Sequence, residues 1–232
     1  MAFATIDVTK GITGSIPTAN LPTIPVTKGG TNLTSGTTDQ FLKFTGTTTL
    51  ASAADNAGIY NVVRSAPFSN GDAYMEMTNA FNSTYTNYLV QLSEIQVNTD
   101  GADLEVKFGQ SDGTYTSGFC WQGRQLAHDG NEHNYGGNNV SRFVPSWSLD
   151  SGAGNFYNFN IWVWNPMSAT DGKTGYFSMG SSKRYDQGWG VAWQGGTKAE
   201  ANATPRLYID LNTGTFINGR VTVYGITNPG DV

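Results

Sequence analysis

The chain has 232 residues and a formal charge of −5, and charged side chains make up 13% of it, about half of the roughly 25% usual in soluble domains. So mild an excess, with no run of Lys or Arg, excludes a phosphate-neutralising surface and gives no electrostatic reason for disorder. No apolar stretch reaches the ~18–20 residues that cross a bilayer.

Residues 1–60 contain no tryptophan, and their apolar residues stand mostly isolated among Thr, Gly and Pro. Met1 to Lys10 lacks the basic start and long apolar run of a secretory leader, which points to synthesis in a cytoplasm. Ile16-Pro17, Leu21-Pro22 and Ile24-Pro25 set a proline after an apolar residue three times within ten positions. Each pre-proline residue is driven to β or polyproline geometry, so an extended arm is expected. An extended chain this poor in apolar side chains cannot bury itself and needs copies of itself or a partner to pack on. Ile12, Ile16, Leu21, Ile24 and Val26 are the residues expected to make that attachment and trimerisation contact. Gln40 to Phe44, flanked by Gly36 and Gly46, suggests a strand of a small hairpin. Ala51 to Ile59 is Ala-rich and suits a short helical turn, with Ser52 or Asp55 as N-cap.

From residue 61 to 232 the pattern changes to β-branched and aromatic runs separated by Gly, Asn and Asp clusters. Strands are predicted near Ala73–Thr78, Tyr85–Val97, Asp103–Gly109, Gly118–Leu126, Val140–Ser148, Phe156–Trp164, Thr174–Gly180, Gly190–Gln194, Arg206–Leu211 and Arg220–Ile226. Leu104, Val106 and Phe108 fall on one face and Asp103, Glu105 and Lys107 on the other. Tyr157, Phe159, Ile161 and Val163 form an apolar face opposite Asn158, Asn160, Trp162 and Trp164, the two tryptophans reading as core or intersubunit residues. Asn70-Gly71 is a turn dipeptide, and Asn218-Gly219 suggests a tight hairpin before the last strand. The expected fold is all-β: an extended N-terminal arm, then an antiparallel, jelly-roll-like β-sandwich.

The chemistry-bearing residues are few. Cys120, the single cysteine, lies between Phe119 and Trp121 and reads as a small buried hydrophobe. A catalytic thiolate would need a base, and only His128 and His133 are available. His128-Asp129-Gly130-Asn131-Glu132-His133 groups two imidazoles with two carboxylates, yet matches no zinc spacing and reads as a solvated loop. Ser111-Asp112-Gly113 and Asp171-Gly172-Lys173 read as turns rather than calcium loops. No GxSxG or phosphate-cradling loop occurs, and nothing marks a pair of carboxylates for glycoside hydrolysis. Neither an enzyme nor a metal or other cofactor is expected. Trp-Gln-Gly occurs at Trp121-Gln122-Gly123, followed by Arg124, and again at Trp193-Gln194-Gly195, near Trp189, Tyr185 and Arg184. Indoles stack on sugar rings while Gln and Arg donate to hydroxyls, so Trp121, Arg124, Trp189 and Trp193 are the glycan-contact candidates. For Trp121 and Trp193 the sequence leaves core, trimer interface and ligand contact open.

Gly11-Ile12-Thr13-Gly14-Ser15-Ile16-Pro17-Thr18-Ala19-Asn20-Leu21-Pro22 resembles a recurrent segment of bacteriophage fibre proteins. Val26-Thr27-Lys28-Gly29-Gly30-Thr31, with Leu33-Thr34-Ser35-Gly36 and Gln40-Phe41-Leu42, is similar to the linker that follows it there. Asn32 stands where the pattern usually has glycine, and asparagine tolerates the positive φ such a turn needs. Tyr88-Leu89-Val90, Asp103 to Phe108 with Ser111-Asp112-Gly113, and Val221 to Ile226 resemble the distal domains of such fibres. The resemblance implies a homotrimeric virion protein made in the host cytoplasm, with intertwined N-terminal strands. Residues 1–60 would hold another virion protein, and residues 61–232 would form a head facing host cell-surface glycan. Because only one copy of the segment is present, the shaft is short, which also suits a capsid decoration or head-fibre protein with a mainly structural role. A free carbohydrate-binding module, which has no use for the arm, and a polysaccharide-degrading enzyme are the alternatives from other classes.

Overall fold

The computed structural model describes residues 41–44, 50–53, 59–127, 130–169, 174–184, 188–198 and 202–227. The segment carrying Ile12, Ile16, Leu21, Ile24 and Val26, and the turn at Asp171 to Lys173, lie outside the described residues. The chain divides into two units, Met1–Ala57 and Gly58–Val232. In the first, β1 (Phe41–Phe44) pairs antiparallel with β2 (Leu50–Ala53), Phe44 opposite Leu50. The small hairpin is therefore present, and it takes up Ala51 to Ala53, where a helical turn was expected. A single helical turn is marginal in isolation, whereas a strand here gains ladder bonds from a partner close in sequence.

The second unit contains β3 (Tyr60–Pro67), β4 (Tyr74–Met77), β5 (Asn87–Val97), β6 (Ala102–Gly109), β7 (Phe119–Ala127), β8 (Glu132–Val140) and β9 (Phe143–Leu149). It continues through β10 (Tyr157–Trp164), β11 (Thr174–Arg184), β12 (Gly188–Lys198), β13 (Arg206–Leu211) and β14 (Phe216–Ile226). No helix occurs among the described residues, and every pairing is antiparallel. Eight strands follow one another as β3-β14-β5-β10-β11-β12-β7-β8. The other four run β9-β6-β13-β4 and, among the described residues, pair with the first set at Arg184 opposite Leu149.

Side-chain alternation explains how the two layers close on each other. Tyr88, Val90 and Leu92 of β5, with Phe159, Ile161 and Val163 of β10, are buried from the long layer. Leu104, Val106 and Phe108 of β6, with Leu207 and Ile209 of β13, are buried from the short one. Phe108 is the hub, touching Phe81, Phe119, Phe143 and Tyr176 at ring-centroid distances of 5.7, 5.6, 5.7 and 6.3 Å. Phe143 stacks on Tyr176 at 4.2 Å, so an aromatic cluster spans the layers between β6, β9, β7 and β11.

Three local expectations are corrected. β3 and β8 are strands where none was predicted. Glu132 and His133 begin β8 rather than sitting in a loop, with His133 opposite Gln125, while His128 and Asp129 lie outside the described residues. Asn218-Gly219 is not a hairpin but part of a bulge within β14, between Asn218 opposite Gln96 and Arg220 opposite Ser93 of β5. Gly219 there has φ +137, and a Cβ would stand 2.5 Å from Ile95 Cδ1, so the bulge admits no side chain. Asn70-Gly71 does form the turn between β3 and β4, Gly71 at φ +96. Asp112 likewise caps its turn, accepting from the Thr114 amide at 2.8 Å, which holds its carboxyl below the usual value.

The outer surface of the long layer is unusual for a sheet face turned to water, which ordinarily carries polar side chains. Val62, Tyr224, Leu89, Trp162 and Phe177 lie directly opposite one another across β3, β14, β5, β10 and β11. Trp162 is half-buried on this face and packs against Phe177 at 5.8 Å, while Trp164 is exposed, so neither belongs to the core.

Candidate functional site

β7 lies between β12 and β8 and carries the first Trp-Gln-Gly; β12 carries the second. The two strands run antiparallel with Arg124 opposite Trp193, Gly123 opposite Gln194, Gln122 opposite Gly195 and Trp121 opposite Gly196. In a strand the facing alternates with every residue, and partners across a ladder face the same way. This register therefore turns the two identical tripeptides to opposite sides. Trp121 and Gly123 face the interior with Gln194, while Gln122, Arg124 and Trp193 face out. Three sequence candidates thus divide by a one-residue offset.

Outward, Trp193 and Arg124 border a recess of about 290 Å³ that Gln122, Gly123 and Asn134 complete. Trp193 is half-buried, with part of its surface accessible. The Arg124 guanidinium donates through Nη2 to the Glu132 carboxylate across β7 and β8. Both partners are more than 40% exposed, so the pair orients Arg124 more than it stabilises the fold. A larger groove of about 490 Å³ adjoins along β8, lined by Gln122, Asn134, Gly136, Gly137 and Asn138 together with Trp121 and Tyr135. The surface thus offers an indole, two amides and a guanidinium side by side. That set stacks on an apolar ring face and hydrogen-bonds to hydroxyls.

Inward, Trp121 is 9% exposed, and its Nε1 donates to the Arg142 carbonyl at 3.1 Å. Its ring meets Tyr135 edge-on at 5.6 Å, and Tyr135 stacks on Trp147 at 5.0 Å. Burial pushes the Tyr135 phenol up, so it stays neutral and packs as an aromatic. The glycines of β8 make this packing possible: a Cβ on Gly137 would stand 2.8 Å from Trp121 Nε1. Trp121 is accordingly part of the buried core cluster, whereas Trp193 is half-buried on the outward face. Trp189 lies in β12 opposite Lys183, and its side chain, with Tyr185 and the Arg184 side chain, is outside the described residues. Cys120 is half-buried on the outward face of β7 rather than buried, its thiol donating to Asn138 Oδ1 at 3.1 Å.

One polar pair joins residues far apart in sequence. Glu105 reads as a solvent-facing residue of β6, yet its side chain is 5% exposed and accepts from Arg142 Nε at 2.6 Å. Arg142 sits between β8 and β9, so only the fold brings the two together. Burial raises the Glu105 carboxyl above its usual 4.5, Arg142 pulling part of the way back. The folded chain therefore holds this proton more tightly than the unfolded chain does. The resulting stabilisation is full below 4.5 and is lost as pH rises through the raised native value. Glu105→Gln removes that titration, so its melting temperature relative to wild type should climb as pH goes from below 4.5 to neutral. Paired thermal melts across that range check this, and a flat difference would show that Glu105 holds its proton no more tightly in the folded chain than in the unfolded one.

No protein-family model, curated protein or solved structure matches this chain.

Proposed function

We propose that the chain is a non-enzymatic bacteriophage virion fibre protein. In this reading it is a homotrimer, held on the particle by residues 1–60, whose head engages host-surface glycan. The observation that carries the glycan role is the outward recess in which Trp193 stands opposite Arg124, with Gln122 and Asn134 beside them. An isolated indole contact is worth roughly 0.5–1.5 kcal/mol, so one head binds weakly. Three heads on a trimer, repeated over a particle, hold a cell through effective concentration.

The head itself is read as a jelly roll. Counting β3, β4, β5, β6, β9, β10, β13 and β14 as first to eighth, one sheet runs first-eighth-third-sixth and the other second-seventh-fourth-fifth. That interleaving of two Greek keys supports the assignment. The hairpins β7–β8 and β11–β12 are then insertions that extend one sheet, and the recess belongs to them. Assembly is supported by the outward row from Val62 to Phe177, an apolar face that a free monomer would leave in water. The same row favours a second reading, a capsid decoration protein seated by this face with no receptor.

The test is binding of the full-length protein and of Trp193→Ala and Arg124→Ala to an array of bacterial surface polysaccharides. Wild type should bind and both variants should lose binding while melting as wild type does. Sedimentation should give a trimer at micromolar concentration; a monodisperse monomer would reject the assembly. Electron microscopy of the particle separates the readings, since a decoration protein lies on the capsid face and leaves the array unstained.

A further inference from the structure

We propose that the head has a second ligand site, the cleft between β8, β9 and β6, and that it takes a neutral hexopyranoside through the Glu105–Arg142 pair and the indoles of Trp121 and Trp147. The cleft measures about 410 Å³, within the roughly 300–1,000 Å³ of small-molecule sites. It lies on the inward side of β7 and shares neither Trp193 nor Arg124 with the outward recess.

The lining selects the ligand by elimination. Trp121, Trp147 and Val144 give an apolar wall, while Glu105, Arg142 and Ser141 give acceptors and donors. A purely apolar occupant would strip water from a carboxylate that is already 5% exposed and leave nothing in return. Glu105 and Arg142 neutralise each other, so neither presents a bare charge to hold an ion of the opposite sign. What remains is an uncharged molecule with an apolar face and adjacent hydroxyls. One hydroxyl donates to the Glu105 carboxylate and its neighbour accepts from the Arg142 guanidinium, while ring C–H groups lie on an indole. A pyranose ring combines these features.

The site is also held in place before any ligand arrives. Arg142 is fixed twice, by its Nε at 2.6 Å from Glu105 and by its carbonyl at 3.1 Å from Trp121 Nε1. Trp147 is fixed by its stack on Tyr135. Asp103 borders the same cleft but is already engaged, Oδ1 accepting from the Ser148 amide and Oδ2 from Asn212 Nδ2, each at 2.9 Å. It braces β6 against β9 and is not counted as a ligand contact.

The proposal extends the reading of the head as a glycan binder, and its test separates the two. The methyl glycosides of glucose, galactose, mannose and N-acetylglucosamine are titrated into the full-length protein with saccharide-observed NMR and tryptophan fluorescence. At least one should bind. Glu105→Gln should weaken it about tenfold or more, the value of a charge-assisted hydrogen bond, while the variant melts as a folded protein. Arg142→Ala should weaken it as well. Failure of all four glycosides overturns the proposal, as does binding indifferent to both Glu105→Gln and Arg142→Ala. Binding lost only in Trp193→Ala moves the sugar to the outward recess, which overturns the cleft and leaves the proposed function standing.

Discussion

Trp121→Ala should cost about 3–5 kcal/mol of stability, the usual range for a large aromatic truncated inside a core. The indole fills space against Tyr135, and the glycines at 136 and 137 leave no side chain to move into the gap. Its loss also takes the indole donor from the Arg142 carbonyl and one wall from the cleft beside Glu105. Trp193→Ala removes the same side chain from the same tripeptide, but from the outward face. It should shift stability by less than about 1 kcal/mol, in the range of surface substitutions. Urea denaturation of the two variants side by side measures both numbers. Equal losses would mean that Trp193 is as structural as Trp121 and that the recess is not a binding platform.

Phe108→Ala should be at least as damaging, again about 3–5 kcal/mol, and with a different signature. Phe108 touches aromatic side chains from both layers, so the cavity would open between them rather than at one edge. Near-ultraviolet circular dichroism should lose intensity as the aromatic cluster loosens, while the far-ultraviolet β signal persists until the melt. Phe108→Leu, which keeps most of the volume, should recover more than half of the loss. A Phe108→Ala protein with wild-type stability would show that the two layers are not held together through this cluster.

Much of the frame is legible in the sequence because alternation is a local property. Leu104, Val106 and Phe108 are buried as their spacing demands, and so are Tyr157, Phe159, Ile161 and Val163. The two missed strands lack that signal for identifiable reasons. β3 borders the sheet with Val62 on its exposed face, so apolar residues appear on both sides and the period of two disappears. β8 contains Gly136-Gly137-Asn138-Asn139, weak strand formers whose smallness is needed beneath the Trp121 indole. The site was half legible. Composition marks Trp121, Arg124 and Trp193, but which tryptophan faces outward depends on a ladder register between strands far apart in sequence. Glu105 is hidden for the same reason, since its partner comes from the β8–β9 turn. Even the Asn218-Gly219 dipeptide, a turn signal in isolation, is overruled by pairing with β5.

The position of β14 also sets a clock. It lies between β3 and β5, and Asn61 donates to Thr227 across 166 positions of sequence. β3 pairs with no other described strand, so its ladder stays open until residues 216–226 have been synthesised. At the roughly 5–20 residues per second of translation, that interval is on the order of ten seconds. Throughout it the nascent chain presents unpaired edges flanked by apolar side chains, the arrangement that seeds wrong association between neighbouring chains. Such distant pairing also folds slowly once the chain is complete, on the order of milliseconds to seconds. Yield in the cell should therefore respond to growth temperature and chaperone supply more steeply than the melting temperature of the finished protein would suggest.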